Sequence, residues 1–135
     1  MTTSQLSPEL YRVIDANLNR LKEGIRVIED IIRYRDNNKE LSSKLKLLRH
    51  KAKIKETLEM LKYRDSSNDV LRETISSELN RTDTSSIILA NFKRAQESSR
   101  VLEELYKLHS AKYSENFKSI RYELYTLEKD VLLEQ

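Results

Sequence analysis

Cysteine is absent from these 135 residues, and glycine and proline occur once each. Without cysteine there is no disulfide framework to staple the fold. One glycine and one proline leave almost nothing that can make tight hairpin turns, which nearly excludes an all-β fold. The same shortage removes the glycine-rich phosphate loop and the dinucleotide-binding turn, both of which need backbone amides to approach phosphate closely. Any phosphate must therefore be held by side chains or helix ends. The two histidines, His50 and His109, fall in no H-E-x-x-H or E-x-x-H pattern, and no cysteine is present to complete a zinc set, so a stable metal cage is not expected. No run is long enough to cross a membrane, and the opening MTTSQLSPEL lacks the apolar stretch of a signal peptide. The expected location is cytoplasmic, with no membrane partner.

What is present is charge in quantity and of both signs. There are 25 basic and 22 acidic residues, interspersed rather than blocked, giving a net charge of +3. That distribution argues against nucleic-acid binding. With 38% hydrophobic and 35% charged residues, the apolar groups must be spaced economically along amphipathic helices. The length suits one domain.

Helical spacing is easily followed. Ser7 and Pro8 read as an N-cap and first helical residue, and Ile14, Leu18, Leu21, Ile25, Ile28 and Ile32 continue one face until Arg35 to Asn38. Asn38 can cap a second helix carrying Leu41, Leu45, Leu48 and Ala52 to about Lys62. The polar run Tyr63 to Asp69 reads as a loop. A short amphipathic stretch from about Val70 to Leu79 leads to capping residues at 81–86. A third long helix then carries Ile88, Phe92, Leu102 and Tyr106, and a fourth carries Phe117, Ile120, Leu124, Leu127 and Val131.

The most informative feature is an internal repeat. Ile14 to Glu29 aligns without gaps on Ile88 to Glu103, so that Asn17, Arg20, Glu23, Arg26 and Glu29 match Asn91, Arg94, Glu97, Arg100 and Glu103. After a slightly shorter connection, Leu45 to His50 matches Phe117 to Tyr122. Each repeat is two helices, and the fold expected is all-α: a pseudo-symmetric bundle of four long helices plus a short connecting helix. Repeat one covers about 8–62, the connector 63–83 and repeat two 84–135, all in a single domain.

On a helical wheel Asn17 and Arg20 fall within the apolar arc of the first helix, beside Gly24, and Asn91 and Arg94 do the same beside Ser98. Burying an amide or guanidinium is costly without partners, so the repeated pattern suggests an internal network or a ligand site, with Arg20 and Arg94 converging on one cavity. Glu23 and Glu97 can hold these arginines at i,i+3. Arg26, Glu29, Arg100 and Glu103 read as a solvated ladder, and Gly24 alone reads as close helix packing. Arg49 and Arg121 flank the stripes of the second and fourth helices. Asp65 and Asp69, after Arg64, can place magnesium beside a phosphate. His50 also resembles the surface histidine of phosphorelay helix pairs, although a lone histidine before lysine is a weak signal.

Taken in order, Val13 to Asp30, Leu48-Arg49-His50, Arg64-Asp65, Ala90 to Arg94 and Ile120 to Glu128 carry a resemblance over almost the whole length. The chain resembles the small hydroxymethylpyrimidine phosphate kinase domain of bacterial thiamin synthesis, often fused ahead of thiamin-phosphate synthase; here it looks like the stand-alone form. The resemblance implies ATP-dependent conversion of 4-amino-5-hydroxymethyl-2-methylpyrimidine phosphate to its diphosphate with Mg2+, the free alcohol not being used, and a functional link to the synthase. It departs from the family at Asp69-Val70-Leu71, where Asp-Val-Gly is expected. On this reading Arg20, Arg94, Arg64 and Asp65 are catalytic. Asn17, Glu23, Arg49, His50, Asn91, Glu97 and Arg121 bind substrate, the asparagines through the aminopyrimidine and the arginines through phosphates. Asp65 and Asp69 hold the metal. The rival is a helical interaction module whose Asn-Arg pairs fix helix register or a homo-oligomer interface. Which repeat takes nucleotide and which takes pyrimidine stays open.

Overall fold

Side-chain caps start all four long helices. Ser7 accepts from Leu10 N at 3.2 Å, with Pro8 in the first turn, and opens α1 (Pro8–Asp30). Asn38 accepts from Leu41 N at 3.0 Å and opens α2 (Lys39–Lys51). A short α3 (Thr57–Leu61) follows without a side-chain cap. Asp83 and Ser86 form a reciprocal capping box at the start of α4 (Thr84–Tyr106), and Ser110 accepts from Tyr113 N to open α5 (Ala111–Leu133). The computed structural model describes residues 6–75 and 79–135, and no strand occurs among them. The all-α reading holds.

Two helical hairpins pack face to face. In the α2–α5 pair Asn38 donates to Glu134 while Lys51 reaches Glu123 at 2.6 Å, so these helices run antiparallel. Lys93 in the first half of α4 likewise meets Glu128 in the last third of α5, while Glu103 near the end of α4 meets Ser114 and Arg121 in the first half of α5. It follows that α1 and α4 are antiparallel too. Ile14, Leu21, Ile25 and Ile28 of α1 bury completely with Ile88, Phe92 and Leu102 of α4 and with Phe117, Ile120 and Leu124 of α5. At roughly 1.5–3 kcal/mol for each large apolar side chain, this core is the main stabilising term.

Gly24 lets α1 and α4 cross closely. A Cβ at this position would lie 3.2 Å from the Asn91 carbonyl oxygen and 3.5 Å from the Ala95 Cβ. Gly24→Ala gains helix propensity of about 1 kcal/mol, but a backbone carbonyl yields poorly, and overpacking costs about 1–3 kcal/mol. A net loss of about 1 kcal/mol is expected in urea denaturation; a stabilised variant would show that the crossing has slack.

Three elements differ from the sequence reading. The second helix ends at Lys51, not near Lys62: the chain breaks at Ala52, whose ψ of 74° leaves the helical region, and resumes as α3. The break lets Met60 and Ala52 bury across the end of the bundle, which a continuous helix would carry past it. The α-helical hydrogen bonding of α1 stops at Asp30, and Ile31–Arg35 continues as a π-helical turn. Val70 to Ile75 form no amphipathic helix; Val70 is 94% and Leu71 84% exposed, because no core surface receives them. Residues 76–78 of that stretch lie outside the described residues, and Leu79 after them is helical and 76% exposed.

Candidate functional site

The repeated residues separate into an inner and an outer set. The inner set is a pair of matched ion pairs. Arg49 Nε donates to Glu29 Oε1 at 2.8 Å across α1 and α2, and Arg121 Nε donates to Glu103 Oε2 at 3.0 Å across α4 and α5. In each pair the second nitrogen reaches the other oxygen at 3.4 Å, so both are bidentate. Glu29 is 2% and Glu103 5% exposed. Bonds to the Tyr125 hydroxyl and to Glu103 hold the Arg121 guanidinium above its ordinary pKa. The expectation of a solvated ladder therefore fails for Glu29 and Glu103 and holds for Arg26 and Arg100, which pair with Asp30 and Glu104 at the surface. The wheel misjudged the glutamates because it weighs one helix alone, whereas each burial is made tolerable by an arginine on the neighbouring helix.

The outer set lies along the α1–α4 crossing. Arg20 and Arg94 are exposed, not interior, and the expected convergence on a cavity is corrected. The close approach at Gly24 leaves no room for long side chains between the helices, so positions 20 and 94 lie at its edge. Both sit within about one helical turn of the same level, since the antiparallel crossing sets Gly24 against Asn91 and Ala95. Glu23 and Glu97 are also exposed and do not pair with them; neither arginine has an ion-pair partner among the described residues. Asn17 Nδ2 donates to Val13 O at 2.9 Å and Asn91 Nδ2 to Ile87 O at 2.8 Å, the same bond in both repeats. Neither amide oxygen accepts a hydrogen bond from a described residue.

Arg64 is brought to α1, where it grips Asp15 with two bonds of 2.7 and 2.6 Å that hold the guanidinium pKa above its usual value. Asn19 supports the same carboxylate at 3.2 Å. Asp15, 7% exposed, was missed in the sequence; its signal was an aspartate inside an apolar run where repeat two has Leu89. Asp65 and Asp69 are exposed in the connector, Asp65 bound by Asn68 and Asp69 by Leu71 N. Among the described residues no group of three or more His, Asp or Glu side chains is arranged to hold a metal alone. His50 is exposed beside Arg49. Two clefts, of about 320 and 490 Å³, contain none of the predicted site residues.

The family model described as the ThiD2 family matches residues 12–130, which take in the connector and nearly all of both repeats. The chain belongs to the ThiD2 family. A protein of Nostoc punctiforme named thiamine-phosphate synthase is 38% identical over 129 residues, 95% of this chain but 37% of that protein. Proteins of the same name from Synechocystis sp. and Rhodopirellula baltica are 38% and 32% identical, over 95% and 97% of this chain and 38% and 36% of their own lengths. The ThiD2 chain thus spans little more than a third of the relatives it matches. No solved structure shows a significant match to it.

Proposed function

We propose that this ThiD2 chain is an enzyme of thiamin biosynthesis that transfers a phosphoryl group from ATP to 4-amino-5-hydroxymethyl-2-methylpyrimidine phosphate, giving the diphosphate. The observation that carries the reading is the doubled Asn-Arg face at the α1–α4 crossing, inside the span that the family model matches. It offers two guanidiniums without carboxylate partners for phosphate and two amide oxygens for an exocyclic amine. The relatives named thiamine-phosphate synthase, of which this chain matches about a third, support the pathway: a kinase joined to a synthase would hand over the diphosphate the synthase consumes.

The chemistry fits the residues. An acceptor phosphate is already an anionic nucleophile near neutral pH, so the protein supplies alignment and charge neutralisation, and no general base is required. Arg20 and Arg94 would grip acceptor and donor phosphates. Arg64, with two of its donors committed to Asp15, would tie the connector to α1 and keep the others for a phosphate. Asp65 and Asp69, exposed and outside any ion pair among the described residues, fit a magnesium ion that would keep several waters and share the nucleotide phosphates, where it would offset their charge.

Substrate choice tests the reading. ADP release is expected with the pyrimidine monophosphate and not with the free alcohol, which must lose a proton during attack and gives the arginines no anion to hold. Comparable rates with both acceptors would refute the phosphate-handle mechanism, and no release with either would favour a helical interaction module.

A further inference from the structure

The two repeats differ where their helices turn, and a cleft opens at that turn in repeat one. The Glu29–Arg49 and Glu103–Arg121 pairs have the same geometry, yet 20 residues separate the partners in the first and 18 in the second. The extra length is taken up by the π-helical turn Ile31–Arg35 and by Asn37, whose φ of 51° lies in the left-handed region that asparagine tolerates. A cleft of about 320 Å³ opens there, lined by Arg33, Asn37, Lys39, Ser43 and Lys46, with Glu29 at its inner wall.

Its charge is unbalanced. Glu29 is already neutralised by Arg49. Arg33 rests over the Tyr34 ring at 4.9 Å, and neither it nor Lys39 nor Lys46 forms an ion pair with a described residue. At the matching turn of repeat two the same positions carry Lys107, Ala111, Glu115 and Lys118. There Lys107 is held by Glu104 at 2.8 Å, the second cation is gone, and a carboxylate replaces Ser43. The two turns have therefore diverged in charge as well as in length.

We propose that the cleft at the α1–α2 turn is an anion-binding site for a phosphate group of a small molecule. Three cations within one small cleft suit an oxyanion of two or more charges better than a single carboxylate, and the Ser43 hydroxyl and Asn37 amide add neutral donors. Every residue lining the cleft is polar or charged and none is aromatic, so the cleft grips the phosphate and not the organic body. The site is distinct from the α1–α4 crossing and stands independently of the kinase reading, because binding is measured without turnover.

The test is calorimetric titration of the full chain with pyrophosphate, ADP and inorganic phosphate at fixed low salt. Lys39→Gln combined with Lys46→Gln is expected to weaken the anion that uses the cleft about tenfold or more, while Lys118→Gln, at the matching position of repeat two, leaves it unchanged. A loss for pyrophosphate and ADP together assigns the cleft to a nucleotide's phosphates, and a loss for inorganic phosphate assigns it to a monophosphate. Either result supports the site. Equal weakening by Lys118→Gln, unchanged binding in the double variant, or no binding of any probe to the native chain would overturn it.

Discussion

Glu103→Ala is expected to cost about 3 kcal/mol of folding stability, a large share of the roughly 5–15 kcal/mol that holds a domain of this kind together. The variant leaves the Arg121 guanidinium, 11% exposed, without its carboxylate. Partial compensation comes from the Tyr125 hydroxyl at 3.4 Å and the Tyr122 ring at 5.0 Å, which is why the lower end of the range for broken buried pairs is expected. Glu29→Ala should cost somewhat less, because Arg49 is 16% exposed and can turn toward water. Glu103→Leu combined with Arg121→Met should recover most of the loss, since apolar residues of similar volume need no partner. Urea denaturation of the three variants checks this. Single-variant losses below about 1 kcal/mol would mean that water already screens the pairs, freeing Arg49 and Arg121 for ligands.

These pairs bear on what Arg49 and Arg121 can do. A bidentate guanidinium committed to a buried carboxylate has given up the fork that would grip a phosphate. Their contribution is to lock each helical hairpin in register, so that α1 and α4 present Asn17, Arg20, Asn91 and Arg94 at fixed positions. Arg121 keeps one amine on Tyr125, and the remaining donors of Arg49 meet no acceptor among the described residues. Repeat one is thus the half in which an inner arginine retains capacity for a ligand.

Much of the fold was legible because helices leave local marks. The caps at Ser7, Asn38 and Asp83 and the apolar spacing from Ile14 to Ile32 are short-range features, and the repeat fixed the pairing of hairpins. What escaped was set by distant partners. Glu29 looks solvated on its own helix and becomes buried only because Arg49 arrives from α2; the recurrence of both charges in repeat two was the sign that they belong together. Ala52 sits on a continuous apolar stripe, and nothing local shows that the connector must turn there to bring Tyr63 onto Tyr11, with ring centroids 6.1 Å apart. Arg20 and Arg94 were placed inside by a wheel that treats the helix surface as uniformly packed. The crossing is tight at Gly24, and side chains near such a contact are displaced to its margin.

That displacement makes the α1–α4 face separable from stability. Arg20→Ala and Arg94→Ala should each leave stability within about 0.5 kcal/mol, because both residues are exposed and neither supports another side chain. If the face grips phosphates, each should lower kcat/KM for the pyrimidine monophosphate about a hundredfold, the usual scale for removing one preorganised donor from a transition state. Arg→Lys at the same positions keeps the charge and loses the planar fork, so partial recovery is expected where the contact is a point charge and little where it is bidentate. The split between constants carries further information. An arginine on the acceptor phosphate should show mainly in KM for the pyrimidine, whereas one on the transferring group should show mainly in kcat. Unequal patterns at positions 20 and 94 would assign the two repeats their separate substrates. Stable variants with kcat/KM within twofold of the native chain would remove the catalytic role from this face and leave the doubled Asn-Arg pattern as a feature of helix packing.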